Sequence, residues 1–140
     1  MKAIIALKGL ADSGKTATLK KVYEHLKVAY PNAPIRHELA HQDIRAVMEI
    51  KGRLLGIESQ GDPSSRIFTS ISLFVQEECD IIICATRTRR ATVRAVLDLS
   101  PQYDIKWIDK PRESDATRYE QANTAFALDI MKQVEILLNA

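Results

Sequence analysis

Cysteine, aromatic residues, net charge and long apolar runs are all scarce in this chain of 140 residues, and each scarcity removes a class of function. The two cysteines, Cys79 and Cys84, flank an apolar run five residues apart, which matches neither a zinc spacing nor a secreted disulfide framework. They are expected as buried, reduced thiols. A formal net charge of +2 announces neither nucleic acid nor an acidic membrane as partner, because such binding needs a concentrated basic face. Aromatics make up 6% and are not interleaved with a basic strip, so nucleic-acid recognition is not indicated. No stretch approaches the roughly 20 apolar residues needed to cross a bilayer. The start, Met1-Lys2-Ala3-Ile4-Ile5-Ala6-Leu7, is basic then apolar like a secretory signal, but the apolar run is short and leads straight into a glycine-containing loop. It reads as a first strand, and a cytoplasmic location is the expectation.

What remains is ordinary for a globular domain: 46% hydrophobic and 27% charged residues, long enough for one core over residues 1–140. After the first strand and its loop, Leu19, Val22, Tyr23 and Leu26 share one helical face while Lys20, Lys21, Glu24 and Lys27 face water. Pro31-Asn32-Ala33-Pro34 stops that helix. Alternation from Ile44 to Ile50, a Lys51-Gly52 turn and a returning strand over residues 53–58 predict a hairpin, hence an antiparallel strand at the sheet edge. Asp62 or Ser64 is placed to cap a helix with Pro63 in its first turn and Ile67, Ile71, Phe74 and Val75 on its apolar face. Asp80-Ile81-Ile82-Ile83-Cys84-Ala85 has the unalternating character of a central parallel strand. A helix over about residues 89–99, a strand over 104–108 and a long helix capped by Ser114 or Asp115 complete the order. Strands alternating with helices predict an α/β fold, a three-layer α-β-α sandwich around a mostly parallel sheet of about five strands with an antiparallel edge hairpin. Ligands of such sheets bind beyond the C-terminal strand ends, which residues 9–16, 58–62, 86–90 and 109–113 occupy.

The first of these segments carries the strongest signal. Gly9-Leu10-Ala11-Asp12-Ser13-Gly14-Lys15-Thr16 matches G-x-x-x-x-G-K-[ST], between a strand and a helix as that motif requires. Glycines let such a loop curl so that successive N–H groups face phosphate oxygens, and the helix presents its positive end to the same anion. On this motif the chain resembles the P-loop NTPase superfamily, in element order over almost its whole length. The resemblance implies that residues 9–17, Ala17 included, wrap the phosphates of a nucleoside triphosphate, with Lys15 on the β- and γ-phosphates and Thr16 giving its hydroxyl to Mg²⁺. Asp12 inside the loop reads either as a solvated variable position or as a polar group facing an acceptor.

The same resemblance implies a second acid near the metal, at the end of the neighbouring strand. Leu54-Leu55-Gly56-Ile57-Glu58 has that apolar-then-acid form, and Glu58-Ser59-Gln60-Gly61 is similar to the D-x-x-G segment of GTPases with Glu in place of Asp. Glu58 is the candidate for metal binding or for orienting a nucleophile, and Asp62 competes for the metal. The guanine-reading N-K-x-D segment of GTPases is missing, since Ala85-Thr86-Arg87-Thr88 follows the apolar strand, so ATP is expected over GTP. Arg87, Arg89 and Arg90 open the next helix, where its dipole disfavours cations, and read as an anion grip similar in role to the arginines of small P-loop kinases. A solvated basic turn is the other reading. Asp109, Lys110 and Arg112 sit where they would edge a nucleoside pocket.

A second motif competes. His37-Glu38-Leu39-Ala40-His41 fits H-E-x-x-H, the zinc signature that needs two histidines one helical turn apart. Only a short helix fits between Pro34 and the next strand, and no histidine follows position 41. A polar loop near the mouth of the site is the alternative. The expectation is a Mg²⁺-dependent, nucleoside-triphosphate-binding protein, either a phosphotransferase or an NTPase acting at the γ-phosphate, with an unidentified phosphoryl acceptor or protein partner. A nucleotide-dependent interaction module with slow or no turnover is the alternative.

Overall fold

In the computed structural model, β1 (Ala3–Lys8) and β5 (Ile81–Thr86) lie side by side in parallel, paired from Ala3 with Ile81 to Lys8 with Thr86. The structure describes residues 2–40, 42–61 and 66–140. Among these residues the chain forms one six-stranded mixed sheet and four α-helices. The order across the sheet is β2 (Ile35–Ala40), β3 (Ile44–Ile50), β4 (Arg53–Glu58), β5, β1 and β6 (Asp104–Asp109). Strands β4, β5, β1 and β6 run parallel, and β3 runs antiparallel to both β2 and β4. The fold is therefore α/β with an antiparallel pair at one edge, as expected. Lys51 and Gly52, with φ of 54° and 76°, make the left-handed two-residue turn that joins β3 to β4.

Two expectations need correction. The sheet has six strands, not about five, because residues 35–40 extend along β3 instead of forming a helix or loop. An exposed edge strand buries too little to show a clear alternation, and a register shift between Ile35 and His37 blurs it further. Second, β4 is not the neighbour of β1, since β5 pairs with both. The isoleucine-rich β5, buried at every position, takes the most enclosed place in the sheet.

Both faces are covered. Ile5 and Leu7 of β1 pack with Leu19, Val22 and Leu26 of α1 (Lys15–Ala29) and with Ile130 and Val134 of α4 (Tyr119–Leu138). Ile4 and Ala6, on the opposite side, pack with Ile67 and Phe74 of α2 (Ile67–Gln76) and Val96 of α3 (Ala91–Leu97). Phe74 lies against Gly56, where an added Cβ would stand 2.6 Å from the ring. Asp115, one of the two expected caps, accepts from Thr117 N–H and starts a 3-10 turn over Ala116–Arg118 that leads into α4. Asp62, Pro63 and Ser64, expected at the start of α2, lie outside the described residues, and Arg66 immediately precedes that helix. Both cysteines are buried, free thiols. Among the described residues no helix is long and apolar enough to cross a membrane.

Candidate functional site

Registers of Lys8 with Thr86, Lys8 with Asp109 and Glu58 with Cys84 bring the C-terminal ends of the four parallel strands to one edge of the sheet. Residues 9–14 leave β1 at that edge and turn into α1. The turn is completed by Gly14 at φ 88°, a left-handed conformation that costs a side-chain-bearing residue about 1–2 kcal/mol. A Cβ on Gly14 would lie 2.4 Å from Asn123 Oδ1, and one on Gly9 would lie 2.6 Å from the Lys110 carbonyl oxygen, so the loop is pressed against α4 at Gly14 and against the β6–α4 connection at Gly9. Asp12 is exposed and left-handed at φ 58°, a conformation aspartate tolerates better than most residues.

Cationic side chains take the loop's carbonyls. Lys15, nearly buried, donates to Gly9 O at 2.7 Å and Leu10 O at 2.8 Å. Lys110 donates to Ser13 O at 2.7 Å, and Arg112 to Ala11 O at 2.8 Å. At the start of α1 the N-cap residue, Gly14, supplies no side-chain cap and the first turn carries no acid of its own, so the positive end of the helix opens toward the cleft and its acid comes from elsewhere in the fold.

Thr16 shows where the second half of the site lies. Its hydroxyl donates to Asp43 Oδ1 at 3.1 Å and stands 3.4 Å from Ser59 O. Asp43 Oδ1 also accepts from Ser59 Oγ at 2.9 Å, and its other oxygen from Gln60 Nε2 at 2.9 Å. Ser59 Oγ is in turn fixed by Ile44 N–H at 2.8 Å. Residues 11–17, Lys20, Asp43 and residues 59–61 line one open cleft of about 730 Å³. No family model, curated protein or solved structure matches this chain.

Strand alternation decides which acid reaches the loop. Along β4, Leu55 and Ile57 face α1, and Ser59 continues on that side. Gly56 and Glu58 face α2. Glu58, expected at the metal or the nucleophile, is fully buried on that other side. It accepts from Arg66 Nε at 2.8 Å, Ser70 Oγ at 2.5 Å and Gln60 N–H at 3.0 Å. Its place beside Thr16 is taken by Asp43, which sequence reasoning missed although the residue lies in the segment between the first helix and the hairpin. The available signal was an acid just ahead of an alternating strand.

The remaining candidates separate. Asp62 lies outside the described residues, as does His41. None of Arg87, Arg89 and Arg90 is among the described residues lining the cleft. Arg87 is half-buried, Arg89 and Arg90 are exposed, and α3 spans seven residues instead of about eleven, which weakens the dipole argument for an anion there. The H-E-x-x-H reading is overturned: residues 37–40 are strand, so the helical spacing that zinc requires is lost. His37 Nε2 accepts from Arg45 Nε at 3.1 Å, while Glu38 accepts from Tyr23 OH. Lys110 does edge a pocket, a recess of about 200 Å³ shared with Asp12, Ser13, Gly14, Glu113, Tyr119 and Asn123. Asp109 instead pairs with Lys8 at 3.6 Å.

Proposed function

We propose that the chain binds the phosphates of a nucleoside triphosphate, with Mg²⁺, in the cleft between residues 9–17 and Asp43. The observation that carries this reading is the hydroxyl of Thr16 meeting the Asp43 carboxylate at the N-terminus of α1, in a cleft large enough for a triphosphate. One carboxylate and one hydroxyl suit Mg²⁺, which takes few protein oxygens and completes its shell with water and phosphate. Among the described residues no cluster of three or more His, Cys, Asp or Glu competes as a softer or fuller metal cage. Thr16 and Asp43 would hold the ion, which when bound withdraws charge from the β- and γ-phosphates. Lys15 would exchange the Gly9 and Leu10 carbonyls for phosphate oxygens. ATP is favoured over GTP because residues 85–88 lack the guanine-reading pattern.

Phosphoryl transfer and hydrolysis both fit this chemistry. The alternative, a nucleotide-dependent interaction module with slow turnover, is favoured by one feature, the enclosure of Glu58 by Arg66 and Ser70. A thermal-shift panel of nucleotides with and without Mg²⁺ tests the proposal. At a ligand concentration of 100 times Kd, binding stabilises the folded state by about 2.7 kcal/mol, roughly a 5–10 °C rise for a chain of this size. Lys15→Ala should remove the rise and leave the ligand-free midpoint within a few degrees of wild type. A rise that survives Lys15→Ala, or no rise with any triphosphate, would sink the reading.

A further inference from the structure

Behind the loop, on the side away from Asp43, sits a charged group that the phosphate-binding reading does not use. Lys110 is 2% exposed, yet among the described residues its ammonium has one hydrogen-bond acceptor, Ser13 O at 2.7 Å, and one ring, Phe126, at 5.1 Å from the centroid. Its backbone is fixed as well, since Lys110 N–H donates to Lys8 O at 2.8 Å, tying the end of β6 to the end of β1. Burial holds its ammonium below the usual lysine range, with Glu113 acting in the opposite direction. A buried cation facing one neutral acceptor is a poor way to stabilise a fold, because an apolar side chain of similar length would avoid the desolvation cost.

We propose that Lys110 is a positioning residue for the phosphate loop: by drawing the Ser13 carbonyl backward it aims the Gly14 N–H forward into the cleft. The geometry follows from the planar trans peptide, in which C=O and N–H point in opposite directions, and no cis peptide occurs among the described residues. With its carbonyl held at the rear, the Ser13–Gly14 peptide cannot rotate to present oxygen to an incoming anion. Gly14 completes the arrangement: an added Cβ would lie 3.1 Å from Lys110 Nζ, so the ammonium packs directly against the turn it holds. Thr18 Oγ1 secures the next carbonyl, Gly14 O, at 2.7 Å, which places the peptides on both sides of Gly14 under restraint. Arg112 acts on Ala11 O from an exposed position and contributes less.

This inference rests on the phosphate-binding reading. Its test pairs Lys110→Met with Lys110→Arg in the full chain, measuring the thermal midpoint and the affinity for inorganic tripolyphosphate by titration calorimetry. Methionine keeps the apolar stem and removes the donor, so the ligand-free protein should be as stable as wild type or more stable. Its tripolyphosphate affinity should nevertheless fall ~10–100-fold, the worth of one charge-assisted hydrogen bond. Arginine keeps the donor at some cost in packing, so it should lower the midpoint yet retain more affinity than methionine. This crossing of stability and binding is what a merely structural lysine would not produce. Unchanged affinity in Lys110→Met, or parallel losses of stability and affinity up to failure to fold, overturns the inference while wild-type binding leaves the phosphate reading standing. If the wild-type chain binds no tripolyphosphate, both are overturned.

Discussion

Replacing Gly14 with alanine probes the candidate site at its tightest point. Two costs arise from the structure. Alanine at φ 88° enters the left-handed region, worth about 1–2 kcal/mol. Its Cβ would also stand 2.4 Å from Asn123 Oδ1, so the amide, itself nearly buried, must leave its position at the α4 face. Overpacking of that kind costs about 1–3 kcal/mol. The sum is roughly 2–5 kcal/mol, a large fraction of a small domain's stability. Only the second cost depends on Asn123, which separates the two. Asn123→Ala alone removes a long contact with Thr18 Oγ1 at 3.4 Å and should cost at most about 1 kcal/mol. In the double variant the collision is gone but the backbone strain remains, so it should be more stable than the sum of the singles by ~1–2 kcal/mol. Urea denaturation of the four proteins, without nucleotide, gives the cycle directly. Additivity within about 0.5 kcal/mol would refute the claim that this asparagine presses on the turn.

Other consequences concern groups away from the cleft. Glu58→Ala should destabilise the ligand-free protein by about 2–4 kcal/mol, because it strips Arg66 and Ser70 of a buried partner; a neutral or stabilising effect in urea titration would show that Glu58 is not anchored as described. Burial pushes both cysteine thiols up to about 12 from an ordinary value of 9.0, with Glu77 and Asp80 adding to the effect on Cys79 and Glu58 to that on Cys84. The unfolded chain therefore loses thiol protons that the folded chain keeps once the pH passes about 9, and stability should fall by roughly 1 kcal/mol per thiol between pH 9 and 10. Unfolding curves at pH 8, 9 and 10 check the sign, and substituting Cys84 by alanine should flatten the decline. A decline that keeps its slope in that variant contradicts the assignment.

How much of this was legible beforehand varies with how local each cause is. The strand–loop–helix at residues 3–29 was readable because its signals are local: an apolar run, two glycines and a helical stripe within one short stretch. The isoleucine run of β5 and the Lys51-Gly52 turn were readable for the same reason. Strand β2 was not, because its six residues are exposed or half-buried, and edge strands draw their order from pairing with β3 rather than from burial of their own. The same segment imitated a zinc motif whose meaning depends on helical spacing. Asp43 carried only a faint local signal, an acid ahead of an alternating strand, since its relation to Thr16 spans 27 residues and exists only once β3 and β4 are paired.

From its residues alone the chain declared an alternation of strands and helices, a loop with the composition to turn sharply after the first strand, and thiols destined for the interior. Sheet order, the side of the sheet on which each acid falls, and the choice of Asp43 over Glu58 beside Thr16 were decided only in three dimensions. Composition and periodicity act over a few residues, whereas insertion of β5 between β4 and β1 and the facing of Ser59 against Glu58 follow from how whole strands share burial across two layers of helices.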